Sequence, residues 1–147
     1  MRDLQTILSD AQSILSTGQS TNVLDLTDAL HQIGQAAHPI RLRVAVADGA
    51  SGSATSINVA LQDCDTAGGS YADTSIKVST ILKAKLVTGA LLLDVTLPAT
   101  GGPGQIANSL GAEPPGPSPL RRFIAMEYTL TGGKYDKLKL NAWIEPY

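Results

Sequence analysis

The stretch Ile40-Arg41-Leu42-Arg43-Val44-Ala45-Val46-Ala47 decides the fold class. Ile40, Leu42, Val44 and Val46 take every second position, with Arg41, Arg43, Ala45 and Ala47 between them. Successive side chains of an extended chain face opposite sides, so this pattern predicts a half-buried β-strand with its apolar face inward. The same period returns downstream in Ile57, Val59 and Leu61, and again in Leu91, Leu93, Val95 and Leu97. Near the C-terminus it runs through Ile124, Met126, Tyr128 and Leu130, then Leu138, Leu140, Ala142 and Ile144.

Turn signals separate these runs. Asp48-Gly49 with Gly52, Gly68-Gly69, Thr88-Gly89 and Gly132-Gly133 each fall between alternating segments, where glycine supplies the positive φ of tight hairpin turns. The expected strands are 21–27, 40–47, 54–62, 74–80, 82–87, 90–97, 121–130 and 137–145. About eight short strands at such spacing predict an all-β antiparallel sandwich or barrel. That number suits a jelly roll without excluding other sandwiches.

Two segments break the pattern. Leu4, Ile7, Leu8, Ala11, Ile14 and Leu15 fall at helical spacing, which on the residues alone predicts an amphipathic helix over 4–15. Residues 99–119 hold Pro103, Pro114, Pro115, Pro117 and Pro119 together with five glycines. Proline removes backbone donors and glycine raises the entropy cost of ordering, so this reads as a long irregular loop. Loops of that length inside a compact domain tend to be functional or disordered.

With 147 residues the chain fits one domain, large enough to bury a core without a metal or a disulfide. The lone Cys64 excludes an intramolecular disulfide. A net charge of −2 gives no overall basic field to gather nucleic acid or anionic lipid. Met1-Arg2-Asp3 does not lead into the apolar core of a signal peptide, and no apolar run approaches the roughly 18 residues of a membrane helix. A soluble protein of cytosolic origin, with no membrane partner, is expected.

No assembled chemistry is visible, and no enzyme and no cofactor are expected. His31 and His38 stand seven residues apart without Cys or carboxylate at metal-ligand spacing. Cys64, between Asp63 and Asp65, lacks a base and an oxyanion donor, and reads as a small residue at a strand end. Asp63 to Gly68 starts like a calcium loop, but Ala67 and Thr74 stand where that pattern needs an acid or amide and a Glu. Gly101, Gly102 and Gly104 are interrupted by Pro103 and closed by no Lys-Ser or Lys-Thr, so they form no phosphate cradle. Asp94, Glu127 and Glu145 sit singly on different strands rather than as a glycosidase pair. With one Trp, one Phe and four Tyr, the chain is poor in platforms for sugars, and Trp143 and Phe123 are expected in packing.

Arg41 and Arg43 share one strand face, Lys77, Lys83 and Lys85 flank another region, and Lys134, Lys137 and Lys139 cluster near the end. These suit solvated strand faces, or a stripe that registers an acidic partner. Nucleic acid is not expected as a partner, because no aromatic residues are interleaved for stacking.

Particular residues add a resemblance. Leu8-Ser9-Asp10-Ala11-Gln12, followed by Ser20-Thr21-Asn22-Val23-Leu24-Asp25-Leu26, resembles the N-terminal signature of a family of tailed-phage capsid cement (decoration) proteins, an "FSDAQ" arm followed by an "STNVIDL" strand. Ala84 to Ala90 is similar to that family's hairpin, with Leu97-Pro98 ending its second strand. Leu120-Arg121-Arg122-Phe123-Ile124, then Tyr128-Thr129, resembles its penultimate strand. The likeness runs nearly end to end. Leu8 stands where the family often has Phe, and 99–119 looks like an insertion peculiar to this chain.

The resemblance implies a jelly roll on the outer surface of a virion, bridging subunits of the major capsid protein as a homo-oligomer, either dimer or trimer. It also implies an extended arm over 1–10 and a short strand over 11–16 in place of the helix. The segments that cannot pack in a lone domain, the arm and the loop, are the expected graspers. The candidate contact residues are Arg2, Leu4, Leu8 and Asp10 in the arm, Arg41 and Arg43 on their strand, Pro103, Pro114, Pro115 and Pro117 in the loop, and Arg121 beyond it. Rival readings are a phage neck or tail fitting and a carbohydrate-binding β-sandwich.

Overall fold

The computed structural model describes residues 7–25, 40–97 and 122–146. In chain order the strands are β1 (Ile7–Ser13), β2 (Gly18–Gln19), β3 (Leu24–Asp25), β4 (Ile40–Gly52), β5 (Ser56–Cys64), β6 (Ala72–Leu82), β7 (Leu91–Thr96), β8 (Phe123–Thr131) and β9 (Tyr135–Pro146). Every pairing is antiparallel. One sheet has the order β1-β9-β4-β7 and the other β2-β8-β5-β6, with β3 also on β8. β2 and β3 pair with successive parts of the same strand, so they act as one interrupted edge. Eight strands in two four-stranded sheets, with the chain changing sheet at nearly every connection, make a jelly roll.

The alternation read from sequence is what closes this sandwich. Leu42, Val44 and Val46 are buried while Arg41, Arg43, Ala45 and Ala47 lie half-exposed on the outer face. Opposite them on β9, Leu138, Leu140, Ala142 and Ile144 are buried. Ile57, Val59 and Leu61 on β5 and Ile124, Met126 and Tyr128 on β8 supply the facing layer. At about 25 cal/mol per Å² of apolar surface removed from water, this interleaved layer is the main stabilising term.

The turns are where expectation and structure part. Only Gly68-Gly69 lies in a hairpin, between the paired strands β5 and β6. Gly132-Gly133 carries the chain from β8 in one sheet to β9 in the other, and Thr88-Gly89 lies on the crossing from β6 to β7. Sheets pack about 10 Å apart, which a two-residue hairpin cannot bridge. The expected strand 82–87, and with it the hairpin at 84–90, is therefore replaced by a single 3-10 turn at Lys83–Lys85 and an irregular crossing. That crossing is held by Lys83 N–H to Thr55 C=O (3.0 Å) and Ala50 N–H to Leu86 C=O (2.9 Å).

Nor does the chain turn at Asp48-Gly49. β4 continues to Gly52, absorbing register shifts against β9 at Asp48 and Ser51, and the turn falls at 53–55. Gly52 has φ +123°, and a Cβ there would lie 2.8 Å from the carbonyl oxygen of Lys134. This position admits only glycine.

At the N-terminus the helix expected over 4–15 is absent from residues 7–15, and Ile7–Ser13 is a strand on β9. Ala11, at φ +44°, sits in a bulge between the Ser9–Ala142 and Gln12–Leu140 pairs. The irregular register breaks the alternation here, so neighbours Leu8 and Ser9 are both buried while neighbours Asp10 and Ala11 are both exposed. Of the expected strand 21–27, Leu24–Asp25 pairs, and 26–27 lie outside the described residues.

Candidate interaction surfaces

The segments that carry the family resemblance build a clasp between the two sheets. β1 leaves one sheet and β2 joins the other, and Gln12 stands between them. Its Oε1 accepts from Ser9 Oγ (2.7 Å) and from Thr21 N–H (2.9 Å), and its Nε2 donates to Gln19 C=O (3.0 Å). Asn22 ties the next turn back to β1, its N–H donating to Leu8 C=O (3.0 Å) and its Nδ2 to Ile7 C=O (3.0 Å). Ser20 Oγ accepts from Met126 N–H (3.0 Å) and donates to Asn22 C=O (2.8 Å). Asp25 receives a two-pronged contact from Arg122, at 3.0 and 2.8 Å, locking β3 to the start of β8. Short polar side chains are needed here because the irregular backbone between β1 and β3 leaves donors and acceptors that no ladder satisfies.

Buried within the clasp, Tyr128 Oη meets Ser9 Oγ at 2.8 Å. Burial pushes the Tyr128 phenol far above its ordinary value, a shift the Ser9 hydrogen bond partly offsets. The Tyr135 hydroxyl, at the start of β9, has no hydrogen-bond partner, and burial raises it too.

The outer face of the first sheet carries a charged ladder across β7, β4 and β9. Arg41 grips Asp94 through Nε (3.0 Å) and Nη2 (2.7 Å). Arg43 reaches Glu145 at 3.2 Å and lies 5.8 Å from the ring centre of Trp143, while its Nε stays 3.8 Å from Asp94. Arg43 stands directly across from Asp94 and Trp143, and Arg41 from Glu145, so each arginine takes the diagonal carboxylate. The two guanidiniums are thus engaged within the chain. The outer face of the second sheet is lined by Asn58, Gln62, Thr129 and Glu127, and burial followed by the nearby Asp73 charge raises the Glu127 carboxyl.

The candidate contact residues divide accordingly. Leu8 is fully buried in the core, so its side chain faces the sandwich interior rather than a partner. Asp10 is exposed at the bulge, and Arg41 and Arg43 form the ladder. Arg2, Leu4, Pro103, Pro114, Pro115, Pro117 and Arg121 lie outside the described residues, as do His31 and His38. Cys64 is buried at the end of β5, 3.9 Å from the Thr66 hydroxyl, and the segment read against a calcium loop is the β5–β6 hairpin. Among the described residues no group of three or more His, Cys, Asp or Glu is placed to hold a metal ion. No described helix is long and apolar enough to cross a membrane.

The connections sort to two ends. Residues 14–17, 53–55, 83–90 and 132–134 form one, and the 65–71 hairpin with Asp25, Ile40, Leu97 and Arg122 marks the other. β4 runs from Pro146 opposite Ile40 to Tyr135 opposite Gly52. At about 3.3 Å per residue this separates the ends by up to roughly 40 Å.

Fold and clasp together define a jelly-roll β-sandwich protein whose N-terminal strand closes one side. The family model described as Bbp16 matches residues 8–144, from the buried Leu8 of β1 to the buried Ile144 of β9. The chain belongs to this family, a phage-related one. No curated protein matches it.

Proposed function

We propose that the chain is a structural virion protein, a cement that binds the outside of a tailed-phage capsid and bridges subunits of the major capsid protein. The observation that carries this reading is the clasp. Ser9, Gln12 and Asn22, from the two segments that resemble the cement signature, join the sheets, and Ser20 and Asp25 fasten the second of those segments to the β8 side. Membership of a phage-related family over 8–144 supports it further.

A cement performs no bond chemistry. It binds the assembled shell in preference to its dissociated subunits, and so stabilises the shell by mass action. Individual contacts can be weak, because once one attachment forms the next is intramolecular. Association of the chain with itself, as dimer or trimer, multiplies those attachments.

Quantitative gel analysis of purified virions tests the reading. A ratio near one copy per one or a few coat subunits is expected, together with shells that open at lower temperature when the chain is absent. A handful of copies per particle would indicate a neck or tail fitting, and absence from virions would overturn the virion assignment altogether.

A further inference from the structure

Bridging needs more than one contact surface. Leu97 and Arg122, which bracket the Gly/Pro-rich loop, both lie at the end marked by Ile40. The opposite end, where the chain crosses between sheets, has its own chemistry. Among the described residues, it and the adjoining strand positions carry Lys83, Lys85, Lys134, Lys137 and Lys139 against Asp48 and Asp136, in a chain whose overall charge is −2. Lys137 is neutralised by Asp48 at 3.1 Å. Lys83 spends one N–H on the carbonyl of Gly52 (2.7 Å), which holds its ammonium in place without cancelling its charge. Lys85 and Lys134 are exposed.

Two large apolar side chains stand among these lysines. Leu82 is 54% exposed and Val87 57%, more than any other large apolar residue described. Hydrogen bonds fix the group as one surface: Lys83 Nζ donates to the Gly52 carbonyl, while Ser53 and Ala54 N–H both donate to Lys134 C=O at 3.0 Å. A single exposed leucine needs no explanation, but an exposed apolar pair next in chain and fold to Lys83, Lys85 and Lys134 has the make-up of an interface with an apolar centre and a charged rim.

We propose that this crossing end docks onto an acidic protein surface, with Leu82 and Val87 at the contact and Lys83, Lys85 and Lys134 registering it. The proposal rests on the cement reading and supplies its second point of attachment. Charge complementarity favours an acidic protein. Among the described residues the one aromatic at this end, Tyr135, is buried, so none of them offers base stacking or an aromatic membrane anchor.

The test measures binding of the full chain to purified phage shells stripped of it. Lys85→Glu with Lys134→Glu is expected to weaken binding at least about tenfold at low salt, with the loss shrinking toward 0.5 M salt as screening takes over. Val87→Ser is expected to weaken it several-fold at every salt concentration. Lys77→Glu, an exposed position on the outer face of the other sheet, should leave binding unchanged. Wild-type binding with an unaltered affinity for the double variant would overturn the docking proposal and leave the cement reading standing. Failure of the wild type to bind shells would overturn both. Tight binding of the wild type to phosphatidylserine vesicles or duplex DNA, lost in the double variant, would assign the end to a different partner and overturn the proposal too.

Discussion

The Ser9 hydroxyl of β1 and the Tyr128 phenol of β8 meet at 2.8 Å in the interior, joining two sheets through residues 119 positions apart. The two partners are not equivalent. Ser9 also donates to Gln12, whereas Tyr128 has no second partner. Tyr128→Phe leaves Ser9 satisfied and should cost about 0.5–1.5 kcal/mol, the usual net value of one hydrogen bond. Ser9→Ala strands a buried phenol and should cost about 1–3 kcal/mol. Urea unfolding of both single variants and the double variant checks this. A Ser9→Ala cost no larger than that of Tyr128→Phe would contradict the geometry.

The same phenol sets an alkaline limit. Tyr128 has its proton affinity raised by burial, so above pH 10, the ordinary tyrosine value, the unfolded chain releases a proton that the folded chain retains. The folded state then binds more protons, and stability falls as pH rises. The contribution is fully present below about pH 10 and is lost above it, by about 1.4 kcal/mol per pH unit for one such group. Tyr71 and Tyr135 are shifted in the same direction. Denaturation midpoints between pH 9 and 11.5 should fall steeply for the wild type and less steeply for Tyr128→Phe.

What could be read from sequence follows from these two kinds of contact. Burial of one face leaves a period-two trace, so Leu42, Val44, Val46, Leu138, Leu140 and Ile144 were legible as core. Gln12 and Asn22 were not legible from residue pattern, because their partners are backbone groups brought near only by the crossing from β1 to β2. The motif resemblance marked their segments without giving their role. Glycines at 52, 132 and 133 signal positive φ, but a φ angle does not say which sheet the next strand joins. The helical spacing at the N-terminus does not follow burial, since Ala11 and Leu15 of that series are exposed, and the register shifts in β1 hide the alternation that marks a strand.

Gly52 and Gly18 should respond oppositely to the same change. Gly52→Ala places a Cβ against the backbone of Lys134 and Asp136 at a φ of +123°, and should destabilise by more than about 2 kcal/mol. Around Gly18 a Cβ would meet nothing within 4 Å, and Gly18→Ala should stay within about 0.5 kcal/mol of wild type. Thermal melts of the two variants separate a required glycine from a tolerated one.

The arginine ladder should contribute less to stability than its number of contacts suggests. Arg41, Arg43 and Asp94 keep 37%, 33% and 23% of their side chains exposed, so solvent screens the pairs and holding them costs side-chain entropy. Asp94→Asn should therefore cost under about 1 kcal/mol, with little further loss in 1 M salt. Leu140→Ala, in the fully buried layer behind it, should cost about 2–5 kcal/mol. A larger loss for Asp94→Asn than for Leu140→Ala would mean that the ladder, not the core, holds this face.

Deleting residues 103–117 separates folding from attachment. It would leave nine residues, 98–102 and 118–121, to join Leu97 to Arg122, a reach of at most about 30 Å. β7 and β8 lie in different sheets, with β8 two places from the edge strand β6 that packs against β7. A sheet spacing of about 10 Å and two strand spacings of about 4.8 Å put the ends roughly 14 Å apart, within that reach. The Arg122–Asp25 pair and the rest of the clasp are untouched. The shortened chain should melt within a few degrees of wild type while binding stripped shells more weakly, as the cement reading requires of a grasping loop. Unchanged affinity would remove the loop from the contact and leave shell binding to the arm and the crossing end, whereas loss of the folded state would show that the loop completes the sandwich.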